Sequence, residues 1–364
     1  MGGDVGYELF SGISGLDRVA EAWFALEQRC HCQTFQTYEF ARLWQDNVGE
    51  RIGARPLILT YAENDRVSAV FPACVTPHGP LRLLTWLSGP DLQDYGDVLR
   101  DADSSLSADE FVAEALLRLR REARTALLYL TNVRDDAVAS APLAKRLRVL
   151  KQSAAPFVRI EGEFDEYLRS LPSDKRHHLE RCWRRLSETG EVRLEVLAPG
   201  DAGLGETFAW IVGHKLERFA RLGEHDVLLD PGTREFRMAQ ATSHPDSRVA
   251  RMTVDGTLVA AELVCVRNGR LCTLVPGFDD SWAHLSPGKM LHYLLLCDCF
   301  ERGFDTFDMG WGTQRHKFVF TQTAVAMTTF VDRGPGGAAL SAALRAKRAL
   351  SPHASSDVAV TPPR

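Results

Sequence analysis

Four residues, Ser286-Pro287-Gly288-Lys289, stand directly before a run, Met290 to Phe300, that is apolar on nearly every face of a helix. Ser286 suits an N-cap, and Pro287 suits the first helical position, where its missing N–H is not needed. Gly288 carries no side chain, so a ligand can approach the backbone amides that open the helix. Those amides, the helix dipole and the Lys289 charge together make a site for an anion such as a phosphate. The same residues also meet the ordinary needs of a helix start, so the chemistry depends on what surrounds them. Asp308 closes an expected buried strand in FDTFDMGWG, beside Gly310 and Gly312. There it can serve as a base or anchor the glycine loop, and Lys317 can pair with it or hold an acceptor anion. Asp94-Tyr95-Gly96-Asp97 follows another apolar strand and a Ser88-Gly89-Pro90 turn. Asp94 could orient or deprotonate an amine and Tyr95 could protonate a leaving group; a surface turn is the plainer alternative.

Other candidates lie on helices. Ser173 to Gly190 reads as a capped amphipathic helix with Leu179, Cys182, Trp183 and Leu186 as its buried stripe. Lys175, His178, Arg181 and Arg185 line another face, either a wall for an anionic donor or acceptor or a solvated basic surface. His214 and Arg218 share a helical face at i, i+4 and could look into a cleft. His225 and His316 stand alone.

These residues need a scaffold. Arg55 to Pro90 and Ser247 to Asp279 each read strand, turn, strand, turn, strand, with Asp255-Gly256 and Asn268-Gly269 as the strongest hairpin signals. Each meander leads into a helix, Ala108 to Ala123 and Pro287 to Arg302, and each helix into an apolar strand. The repeat predicts an α+β protein with two related, mostly antiparallel sheets flanked by helices. Expected boundaries are 1–152, 153–335 and a partly disordered tail, 336–364, with the first break where Ser153 to Pro156 interrupts a helix and a strand begins.

Bulk composition removes several function classes. Lys plus Arg total 43 against 48 Asp plus Glu, a net charge of −5 that argues against broad nucleic-acid coating. No apolar run approaches the roughly 20 residues of a membrane span. The first residues lack a basic flank and an apolar core, so a cytoplasmic protein is expected. The eight cysteines form no metal or redox spacing. Cys30-His31-Cys32 is the one place a metal reading could start, and no second ligand cluster follows. No Walker loop, dinucleotide fingerprint or His-Glu-x-x-His is present.

Taken together, Gly277-Phe278-Asp279, Ser286-Pro287-Gly288, Asp308 with Gly310 or Gly312, and Lys317-Phe318 resemble the signature of the cellulose-biosynthesis-associated (CelD-type) GNAT acetyltransferases. FQTYEFARLWQDNVG, DYGD at 94–97 and DKRHHLERCWRRLSETGEV fit the same family, so the resemblance covers roughly residues 33–325. Gln314-Arg315-His316 departs from it where an acidic or aromatic residue is expected before the lysine. The resemblance implies a tandem GNAT (acyl-CoA N-acyltransferase) fold related in shape to the Fem aminoacyltransferases. It further implies acetyl-CoA or another acyl-CoA as co-substrate, with no metal. The strand Leu271 to Gly277 would part from its neighbour at Pro276-Gly277 and offer backbone amides at Val275 and Gly277 to the pantetheine. Ser286, Pro287, Gly288 and Lys289 would take the diphosphate. Asp308, Asp94 and Tyr95 are the catalytic candidates, and Asp97, His214, Arg218, Gln314 and Lys317 the acceptor contacts. The implied reaction is acyl transfer to an amino group of a sugar or exopolysaccharide precursor. Two alternatives stay open: a Fem-type transferase using aminoacyl-tRNA, which the compact helix mouth disfavours, and a non-catalytic GNAT-shaped subunit of a polysaccharide assembly. DNA is not an expected partner, and a homodimer stays open.

Overall fold

The computed structural model describes residues 6–349 apart from Thr125. The disordered end expected for the last dozen residues lies outside the described residues, as does the extreme N-terminus. The chain divides into two compact units. The first runs to Ala154 and takes the chain back from Val325 onwards; the second is Ala155–Ala324.

The first unit holds strands β1 (Gly6–Ser11), β2 (Arg55–Glu63), β3 (Arg66–His78), β4 (Leu81–Trp86), the short β5 (Leu99–Arg100) and β6 (Leu127–Arg134). Helices α1 (Gly12–Glu27), α2 (Tyr38–Trp44), α3 (Ala108–Ala123) and α4 (Ser140–Arg146) flank them. The strand β7 (Arg148–Arg159) carries the chain into the second unit, with helices α5 (Phe164–Ser170), α6 (Ser173–Ser187), α7 (Leu204–Leu222), α8 (Pro231–Ser243) and α9 (Pro287–Glu301). Its remaining strands are β8 (Val192–Leu197), β9 (Ser247–Val254), β10 (Thr257–Arg267), β11 (Arg270–Phe278) and β12 (Thr306–Asp308). Finally β13 (Ala324–Val331) and α10 (Pro335–Ala349) return to the first unit.

Both sheets follow one plan. Four antiparallel strands, β1–β4 or β8–β11, are followed by a helix, α3 or α9, and then by a strand parallel to the fourth, β6 or β12. An antiparallel strand comes next in each: β13 on β6, and the end of β7 on β12. The expected turns form. Asn64-Asp65, Asp255-Gly256 and Asn268-Gly269 take φ of 55° and 61°, 47° and 78°, 48° and 70°, the left-handed pairs that two-residue hairpins require.

The units divide between Ala154 and Ala155, inside β7, which runs straight through Ser153 to Pro156 where a helix was expected to give way to a strand. The other boundary differs from expectation. Residues 325–335 belong with the first unit, since β13 finds its ladder on β6. Strand pairing at such sequence distance leaves no local mark. In the second unit the sheet is buried on both faces. Leu179, Leu186, Met290, Leu295 and Phe307 share one cluster; Phe208, Ile211, Leu263 and Val275 form another with α7 and α8.

Candidate active site

β11 pairs with β10 along its length, but with β12 only over Arg270–Cys272. From Thr273 to Phe278 the edge towards β12 carries no strand among the described residues. The separation thus begins after Cys272, before Pro276-Gly277 where the sequence placed it. The cause lies in β12, which stops at Asp308; Gly310 then turns the chain with φ 67°. Val275 points its side chain into the apolar cluster under α7, so only its backbone can serve a ligand. Gly277 has a packing reason as well. A Cβ there would lie 2.9 Å from the Ile211 Cα and 3.0 Å from its carbonyl oxygen.

The open edge leads to the mouth of α9. Ser286 stands at the N-cap position with left-handed backbone, φ 57°, and its hydroxyl makes no cap. Its carbonyl accepts from the amides of Lys289, at 3.0 Å, and Met290, at 3.1 Å. The sequence suggested several free amides; because the first turn closes this tightly, and Pro287 has none to give, the Gly288 N–H is the amide left over. Gly288 itself meets no steric demand: a Cβ there would sit 3.5 Å from the Phe278 ring, an ordinary contact. Arg218 stacks its guanidinium 4.4 Å from the same ring's centroid, and His214 lies within electrostatic reach of Asp279. Both α7 candidates therefore flank the end of β11, as their spacing suggested.

Lys289 reaches across to α6, where its Nζ donates to His178 Nε2 at 2.5 Å. Burial, then the Lys289 and Arg181 charges, push the His178 pKa below its ordinary value, which keeps the ring an acceptor. Part of the basic face is spent internally. Lys175 donates to the Phe318 carbonyl at 2.5 Å, and Arg176 and Arg184 pair with Glu180 and Glu188.

Several candidates prove to be structural. Asp308 is fully buried, with Oδ2 2.7 Å from Arg270 and Oδ1 accepting the Gly310 amide at 3.0 Å. Both oxygens are engaged, so it anchors the glycine loop and is poorly placed to act as a base. The Lys317 Nζ clamps the carbonyls of Trp311, at 2.7 Å, and Gly310, at 3.3 Å. Gln314 differs: its side-chain oxygen is buried without a hydrogen-bond partner among the described residues.

Asp94, Tyr95 and Asp97 lie in the first unit. Tyr95 is buried against Phe35, and the Arg134 guanidinium covers its ring at 4.9 Å. Asp97 accepts from the amides of Val98, Ala139 and Val138 at 2.8, 2.8 and 2.9 Å, so it clamps a turn rather than a substrate. Burial pushes its carboxyl up to about 6 although those amides pull it down. The first unit's counterpart of the open edge is filled by its own chain. Trp86 donates its indole N–H to the Thr131 carbonyl, and the Gly96 amide donates to Asn132. The mouth of α3 carries Asp109 and Glu110 in its first turn, with a Ser107–Glu110 capping box. An anion would meet like charge there.

Sequence reasoning missed one pair. Glu262, in the apolar run of β10, and His292, in the apolar run of α9, are both buried and meet at 2.7 Å through Oε2 and Nε2. A lone acid in one greasy run and a lone histidine in another were the available signal, since buried polar groups need partners. His316 retains exposed surface and feels the charges of His292, Glu262, Lys317 and Lys289.

A family model described as acetyltransferase (GNAT) domain matches residues 173–318, which carry α6 through the glycine loop. No curated protein matches significantly. Among solved structures, L-PGS from Bacillus licheniformis superposes with a TM-score of 0.57 at 13% identity, covering 91% of this chain and 95% of that one. FemX gives 0.55 at 12% identity, covering 83% and 96%. At such identities these likenesses speak for the fold. No helix among the described residues is long and apolar enough to cross a membrane. Residues 173–318 therefore match a GNAT acetyltransferase domain, an acyltransferase type, and the first unit repeats the strand and helix order of the second.

Proposed function

We propose that the second unit lays an acyl-CoA along the open edge of β11, with its diphosphate at the mouth of α9. The acyl group, acetyl in the simplest case, passes to an amino group of a sugar or exopolysaccharide precursor, as the likeness to CelD-type enzymes implies. The observation carrying this reading is the early end of β12, which bares Thr273–Phe278 directly ahead of Gly288 and Lys289. An amide-bearing arm binds such an edge as an added strand would. Backbone groups of Val275 and Gly277 then face the pantetheine and thioester, and Gly288 N–H and Lys289 face the diphosphate. His214, Arg218 and Gln314 are the acceptor contacts that the geometry supports. Alignment alone can lower the barrier by several kcal/mol. An acyl-CoA donor would suit a cytoplasmic reaction.

Thermal unfolding tests the reading. Acetyl-CoA at about a thousand times its Kd should stabilise the protein by about 4 kcal/mol, and thiol release with glucosamine as acceptor should follow. Absence of any shift would overturn it. The basic face of α6 favours a second reading, a Fem-type transfer from aminoacyl-tRNA. Retardation of tRNA in a gel, without an acetyl-CoA shift, would favour that one.

A further inference from the structure

The Glu262–His292 pair has no structural necessity. Burying a carboxylate and an imidazole together is costly, and apolar residues of similar volume commonly do as well or better. Glu262 is 2% exposed and His292 8% exposed, so the pair is almost wholly withdrawn from water. Its position is specific. Glu262 lies directly across the ladder from Pro276, within the stretch of β11 whose other edge is open. His292 lies less than two turns inside α9 from Gly288, and its ring meets Phe307 of β12 edge-on at 5.9 Å. With β11 between β10 and β12 in the sheet, the pair stands on the α9 face, over the region where β11 and β12 part.

The hydrogen bond sets the tautomer. A carboxylate accepts, so Nε2 carries the proton and the lone pair resides on Nδ1. Among the described residues Nδ1 has no hydrogen-bond partner. A carboxylate holding one ring nitrogen while the other waits with a lone pair is the arrangement of an oriented general base.

We propose that His292, oriented by Glu262, takes the ammonium proton of the acceptor amine. The inference rests on the acyl-CoA reading above. The freed amine attacks the thioester carbonyl, forming the C–N bond, and the C–S bond breaks. Of the two protons that nitrogen loses, His292 takes one and the departing thiolate takes the other. Glu262 acts as a positioning residue that also stabilises the imidazolium.

Nitrogen NMR of the full-length, 15N-histidine-labelled protein, run beside calorimetry with coenzyme A, tests this. The expected result is an Nε2–H tautomer at His292 whose ring signals move when coenzyme A binds. His292→Gln should keep the coenzyme A affinity while turnover of acetyl-CoA with glucosamine falls about 10²- to 10⁴-fold. Glu262→Gln should release the tautomer and give a smaller loss of turnover at unchanged KM for the donor. An Nδ1–H tautomer would overturn the proposal. So would ring signals unmoved by coenzyme A that calorimetry shows bound, or full turnover in His292→Gln. If the wild type binds no coenzyme A by calorimetry, the donor reading itself fails and this inference goes with it.

Discussion

Replacing Gly288 by alanine should move stability and donor binding in opposite directions. Gly288 sits in the first turn of α9 with no left-handed φ, and a Cβ would meet only the Phe278 ring, at 3.5 and 3.9 Å. The fold therefore has room for a methyl group. Alanine also restricts the unfolded chain, so the ligand-free protein should gain about 0.5–1 kcal/mol. For a unit the size of Ala155–Ala324 that is a rise of about 1–4 °C in Tm. The donor should respond oppositely. A methyl at this point crowds the approach to the Gly288 N–H, and losing one hydrogen bond to a charged group costs about 1.5–3 kcal/mol. Affinity for acetyl-CoA should then fall about 10- to 150-fold. The stabilisation by donor, about 4 kcal/mol for the wild type at a thousandfold excess over Kd, should drop to about 1–2.5 kcal/mol. Thermal unfolding with and without acetyl-CoA reads both effects in one experiment, and calorimetry gives Kd independently. A Gly288→Ala protein that is less stable without ligand would show that the room inferred at Phe278 does not exist. One with wild-type donor stabilisation would show that the diphosphate lies elsewhere.

Asp308→Asn separates an anchor from a base. As an anchor it should lose about 1.5–3 kcal/mol of stability by urea unfolding, as the charged bond to Arg270 weakens, with coenzyme A affinity held; a base would lose turnover with stability intact. His244 predicts a pH dependence. Burial lowers its pKa from 6.5 to about 4, so the unfolded chain takes up the proton first as pH falls. Its contribution is present above pH 6.5 and is lost between 6.5 and about 4. Urea unfolding should show about 2 kcal/mol less stability from this group at pH 5 than at pH 7.5. His244→Gln should flatten that slope, and an unchanged slope would refute the assignment.

Local signals were legible wherever the chemistry is local. Asn-Gly and Asp-Gly turns, the Pro287 helix start and the apolar period of α6 depend on residues within a few positions of one another. So the two meander–helix–strand repeats, and the helix mouth at Ser286 to Lys289, could be read without coordinates. Roles that depend on partners far along the chain could not. Asp308 reads as a base until Arg270 and the Gly310 amide occupy both oxygens. Lys317 reads as an acceptor contact until it clamps the glycine loop. Tyr95 reads as catalytic until it is packed against Phe35 beneath the Arg134 guanidinium. Glu262 and His292, thirty residues apart, face one another only because β10 and α9 are packed together. The closing strands β7 and β13 likewise find their partners across most of the chain. The sequence by itself determined the elements and the anion-ready helix start, because backbone propensities act locally. Tertiary packing alone decided which polar groups are consumed by the scaffold and which remain for a substrate, because that depends on where every partner's hydrogen-bonding capacity is already spent.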